Sequence, residues 1–209
     1  MDRAQVWEQV TEERRAVLVL LEGLTPAEWD APTLCAGWRV RELVAHLTMP
    51  TRTGPVAAAV GLVRARFDVD RYFADWAAEH GRAPVPDLLE QWREVVESGR
   101  RPRDGTPGGV LVETVAHVQD LRRPLGLPSE TPPDRLRTAL DAAVRLGRPF
   151  RSRRRAAGLR WVGTDVDWAW GASGDPEVRG HGADLLLAML GRPAVVRDLS
   201  GTGVVQLVT

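Results

Sequence analysis

The feature that most constrains this chain is a change of period near residue 148. Before it, apolar residues recur at steps of three and four, in runs cut by proline and glycine, which is the signature of short amphipathic helices. Beyond Pro149 the step shortens to two, as in LRWVGTDVDWAWG (159–171), where Trp161, Val166, Trp168 and Trp170 fall on one candidate buried face. The predicted layout is therefore mainly α: a helical domain over residues 1–148, then a small α+β C-terminal domain over 149–209.

Within the first part, helices are expected at about 6–24, 39–47, 64–80, 86–98, 109–125 and late in 129–147. The helix at 39–47 could run on through Pro50. Thr25, Pro26 and Glu28 have the spacing of a capping box. Residues 31–38 and 99–109 read as loops from their Gly and Pro, and Arg151 to Arg155, within the Arg-rich 148–160, as a solvated interdomain linker in preference to an anion patch. In the second part, 180–191 reads as a compact helix and 195–208 as a further strand-like run.

Charge and composition exclude several classes. Acidic and basic residues balance at 28 each, so no global field draws the chain to nucleic acid or to an anionic membrane. No apolar run approaches the roughly 18 residues of a membrane span, and the charged N-terminus lacks a signal-peptide core. A single cysteine, Cys35, rules out an intrachain disulfide framework and fits a reducing compartment, so a cytoplasmic protein is expected. Cys35 itself reads as a small buried packing residue. Every basic residue is Arg, and Lys, Ile and Asn are absent, a codon bias that points to a GC-rich bacterial genome.

One stretch carries chemistry. ETVAHVQD (113–120) puts Glu113, His117 and Asp120 at steps of four and three, on one face of a helix. A carboxylate and an imidazole one turn apart can grip a metal, or can form a polar stripe on a solvent-facing helix. His46, beside the apolar stripe Val40, Leu43, Val44 and Leu47, can look into a helix bundle. It can also be an ordinary core histidine. A carboxylate with two imidazoles is a suitable ligand set for Zn, Ni, Fe or Mn that leaves positions open for water or substrate. Spacing alone leaves these alternatives standing.

Two separated motifs narrow them. The first is C-x-G-W-x-V-x-D/E-x-x-x-H-L, at Cys35, Gly37, Trp38, Val40, Glu42, His46 and Leu47. The second is E-x-x-x-H-x-x-D-x-R-R, at Glu113, His117, Asp120, Arg122 and Arg123. Together with TDVDWAWG, EVRGHGADLLLAMLGR and DLSGTGVVQLV near the C-terminus, they resemble the mycothiol-dependent maleylpyruvate isomerase family. That family is a branch of the DinB-like four-helix-bundle metalloproteins with a small C-terminal domain. The resemblance implies a divalent metal, zinc in that family, held by His46, Glu113 and His117, with Asp120 accepting an imidazole N–H. It also implies mycothiol as thiol cosubstrate, in keeping with a GC-rich actinobacterial source, and a small electrophile as the other partner.

Isomerisation and S-transfer would need the same metal site. Arg122 and Arg123 are candidates for binding the thiol's polar groups, or they complement the helix dipole. Arg179 and Arg192, in the C-terminal motif, are candidate catalytic cations for an anionic substrate. His181, where the family pattern favours a small residue, reads as a solvated helix start, and His80 as a helix C-terminal charge. The alternatives are a hydrolase using metal-bound water, a non-catalytic metal-binding protein, or a ligand-binding module. The chain is expected to act as a monomer or homodimer, without nucleic acid or membrane.

Overall fold

The computed structural model describes residues 1–102 and 105–207. Arg103 and Asp104 of the expected 99–109 loop, and Val208 of the expected terminal strand, lie outside the described residues. By contact the chain forms two compact units. One comprises residues 1–10, 106–119 and 128–207; the other comprises 11–105 and 120–127. Two long helices, α1 (Arg3–Glu22) and α7 (Pro107–Arg122), contribute residues to both.

In the second of these units, α2 (Pro26–Trp29) opens on a complete capping box. The Thr25 side chain accepts from the Glu28 N–H, and the Glu28 carboxylate accepts from the Thr25 N–H. Three helices follow that pack by contact: α3 (Val40–Arg52) against α5 (Val69–His80) and α6 (Val85–Glu97). Pro50 does not end α3, which runs on to Arg52. Its proline ring removes one N–H but leaves the helix continuous. The expected helix at 64–80 begins only at Val69, because Arg66 and Phe67 take left-handed backbone angles (φ 57° and 63°). A further helix, α4 (Pro55–Arg64), fills the stretch that no motif marked, and it packs on α5.

In the first unit, α8 (Pro133–Ala143) and α10 (Gly182–Met189) pack together beside a three-stranded sheet of order β2–β1–β3. Strand β1 (Arg160–Gly163) pairs antiparallel with β2 (Ala169–Trp170) and parallel with β3 (Glu177–Gly180). The apolar face expected here is largely realised. Trp161, Val166 and Trp168 are buried and Trp170 is half-buried. The two buried indoles are satisfied: Trp161 Nε1–H donates to the Ala156 carbonyl at 3.2 Å, and Trp168 Nε1–H to Asp141 Oδ1 at 2.9 Å.

Two expectations fail here. The Arg-rich linker contains a short helix, α9 (Ser152–Ala156), seated by the Ser152 hydroxyl donating to the Ala143 carbonyl at 2.6 Å. The strand-like run at 195–208 is instead two 3-10 turns, Pro193–Asp198 and Val204–Leu207. Pairing with β3 shrinks to one bridge, Ser200 with Arg179, because Gly201 turns away at φ 107°, where a Cβ would collide with the Glu177 carbonyl. Among the described residues no helix is long and apolar enough to cross a membrane.

Candidate metal-binding helices

Helix α7 is apolar nearly all round. Val110, Leu111, Val112, Val115, Ala116, Val118 and Leu121 are buried, as are Thr114, Gln119 and Asp120, while Glu113 and His117 alone in the stretch 110–121 are half-exposed. A helix buried on this many sides is not a solvent-facing one, so the polar stripe of a surface helix is the wrong description of ETVAHVQD. The helical step of four places donor atoms of the Glu113 carboxylate and the His117 imidazole within 4.8 Å of one another. That spacing suits two ligands of one cation.

Helix α3 carries His46 at 4 % exposure, among Leu43, Val44, Ala45 and Leu47. Two aromatic rings bracket its imidazole. Trp38 lies 4.8 Å away at 45°, and Phe73 of α5 lies 5.2 Å away nearly edge-on. The N-terminus of α3 is fixed by an exchange between Arg39 and Glu42. The Arg39 N–H donates to Glu42 Oε2 at 2.9 Å, and its guanidinium grips both carboxylate oxygens at 3.1 and 2.6 Å. Burial pushes the Glu42 carboxyl up, but the Arg39 hydrogen bonds and charge outweigh it and hold the group below the usual carboxylate range. The same contact raises the Arg39 guanidinium.

The loop that leads into α3 is built around Thr33. Its hydroxyl donates to the Trp38 carbonyl at 2.9 Å and accepts from the Cys35 N–H at 3.2 Å, while Gly37 supplies a left-handed turn at φ 79°. This turn holds Cys35 half-exposed, with its thiol 3.1 Å from Oδ2 of the fully buried Asp120. Cys35 is therefore a hydrogen-bonding partner of the α7 carboxylate rather than a buried packing residue. Sequence reasoning missed this pair because 85 residues separate its members. It also missed Phe73, which belongs to no motif.

The remaining candidates have ordinary anchors. Arg122 closes α7 and is buried; Arg123 is half-buried. Arg179 on β3 is exposed and its Nε donates to Glu177 at 3.0 Å. Arg192, half-buried, lines a cleft of about 300 Å³ with Arg155, Pro193 and Gln206. His181 precedes α10, mostly exposed, 3.7 Å from Asp165. His80 ends α5, stacks on Trp76 at 3.7 Å, and pairs its Nδ1 with the Trp76 carbonyl at 2.9 Å.

Comparison with known proteins agrees with the motif reading. Residues 10–107 match the family model of the mycothiol maleylpyruvate isomerase N-terminal domain, a stretch that holds Cys35 and His46 and stops short of Glu113 and His117. Crystal structures of the mycothiol-dependent maleylpyruvate isomerase and of a histidine-to-alanine mutant of it are similar in fold. Each aligns with a TM-score of 0.63 at 13% identity, over 97% of this chain and 93% of the other. No curated protein sequence matches. Residues 10–107 are thus similar to the mycothiol maleylpyruvate isomerase N-terminal domain, and nearly the whole length of the chain shares the fold of that enzyme.

Proposed function

We propose that this protein is a metal-dependent enzyme that uses a low-molecular-weight thiol, mycothiol, to isomerise or conjugate a small electrophile. Its metal ligands are His46, Glu113 and His117, and its metal is zinc. The observation that carries the reading is the Glu113–His117 pair, two half-exposed donors within 4.8 Å on an otherwise buried, apolar helix. The family match over residues 10–107 and the shared fold support the thiol.

The donor set fits the ion. One carboxylate and two imidazoles suit a borderline divalent metal, and three protein ligands leave room for an exogenous one. When bound, such a metal lowers the pKa of a coordinated thiol, so that a thiolate persists at neutral pH. The residues of the chain then have separate tasks. Glu113 and His117 hold their spacing through one turn of α7, and Trp38 and Phe73 fix the plane of the His46 ring. Asp120, one turn beyond His117, is assigned to accept an imidazole N–H, its carboxylate steadied by the Cys35 thiol. Arg122 and Arg123 are assigned to the thiol's polar groups, and Arg179 and Arg192 to the substrate's negative charge.

The test is elemental analysis of the purified protein beside His117→Ala, each then titrated calorimetrically with mycothiol. Near-stoichiometric zinc that the variant loses, together with thiol binding that requires the metal, is the expected result. Zinc without thiol affinity would favour a hydrolase or a non-catalytic metal protein. Absence of metal from both proteins would end the proposal.

A further inference from the structure

Helix α4 and the turn after it present an apolar face that nothing among the described residues covers. Val56, Val60 and Val63 follow one another at helical steps of four and three, and Phe67 continues the row four residues on. Val56 is 77% exposed and Phe67 73%. No residue of α4 is buried. Its opposite side is anchored instead: Gly61 packs so closely on the Tyr72 ring of α5 that a Cβ there would come 2.9 Å from Tyr72 Cδ2. The exposed face is therefore held outward.

At the tip of this hairpin, two consecutive non-glycine residues, Arg66 and Phe67, take positive φ. Bulky residues adopt that conformation only where the surroundings impose it. The same stretch is charged in one sense only. From residue 51 to 67 there are three arginines, Arg52, Arg64 and Arg66, and no acid. Arg52 is paired with Glu94, whereas Arg64 and Arg66 are exposed and make no ion pair among the described residues. The acids just beyond, Asp68 and Asp70, occupy the N-cap and first turn of α5.

We infer that α4 and its tip form a peripheral docking surface for an anionic lipid bilayer, with Phe67 and the valines entering the headgroup boundary and Arg64 and Arg66 meeting lipid phosphate. A short helix with an apolar row and cationic flanks is built to lie in that interface. A net charge of zero over the whole chain does not register this local imbalance.

The experiment is co-sedimentation of the full-length protein with mixed phosphatidylglycerol–phosphatidylcholine vesicles and with pure phosphatidylcholine vesicles. It is run on wild type, on Val63→Ser/Phe67→Ser and on Arg64→Gln/Arg66→Gln. Circular dichroism melts check that each variant is folded, which the exposure of all four side chains favours. Binding to the anionic vesicles is expected, reduced by raised salt and weakened roughly tenfold in either variant. Equal binding to both vesicle types, no binding, or binding unchanged in the variants would overturn the proposal. So would a wild-type dimer in sedimentation velocity that Val63→Ser/Phe67→Ser dissociates, since a second copy would then own the face.

Discussion

The Cys35 thiol donates to the Asp120 carboxylate at 3.1 Å, and the neighbouring Leu34 N–H donates to the Asp120 carbonyl at 2.9 Å. One residue of α7 is thus tied twice to the loop that leads into α3. Cys35→Ala removes a donor from a fully buried carboxylate and is expected to cost about 1–3 kcal/mol in urea denaturation. Cys35→Ser, which keeps a donor, should recover most of that loss. Equal destabilisation by both substitutions would show that the thiol's volume matters and its hydrogen bond does not.

Removal of metal tests the α7 pair separately from activity. Stripping with a chelator should lower the melting temperature of the wild type, and added Zn2+ should restore it, because a ligand that binds only the folded state stabilises by mass action. Glu113→Gln should blunt the response at every zinc concentration. A variant that responds as the wild type does would remove Glu113 from the ligand set.

The Arg39–Glu42 contact makes an acid-side prediction. Because the folded-state carboxyl of Glu42 is held below its ordinary value, its contribution is present above the unfolded carboxylate pKa of about 4.3 and fades as pH falls through the folded value. Wild type should therefore lose stability on acidification more steeply than Glu42→Gln in that window. Near neutral pH the variant should be the less stable protein. Parallel stability curves from pH 3 to pH 7 would contradict the assignment.

Trp161 is fully buried in β1, faces Trp170 and Val178 across the ladder, and spends its indole N–H on the Ala156 carbonyl. Truncating it to alanine should cost about 3–5 kcal/mol. Trp161→Phe should cost less, the ring volume being largely kept while the hydrogen bond is lost. Thermal unfolding followed by circular dichroism would compare the two.

Helical period and capping chemistry are local properties, and they were legible. Thr25, Pro26 and Glu28 announce α2, and the apolar steps around Val40–Leu47 announce α3. What sequence hid was set by tertiary contact. Arg66 and Phe67 delay α5 through backbone angles that no propensity favours, and Val204–Leu207 coils as a 3-10 turn because Gly201 must pass close to β3. The two motif histidines and Glu113 could be named from their spacing and family pattern. The aromatic setting of His46 and the Cys35–Asp120 contact needed the fold, since Phe73 and Asp120 lie far from their partners in the chain.

Because α1 and α7 each give residues to both compact units, neither unit is a single stretch of chain. On the ribosome this imposes an order. The first ten residues emerge long before residues 106–119, with which they share a unit, and residues 11–105 wait for 120–127. Folding units generally complete as they are synthesised, N-terminal first, but here the nascent N-terminal helix must stay unsatisfied along part of its length until α7 has left the exit tunnel. The chain cannot finish either half early.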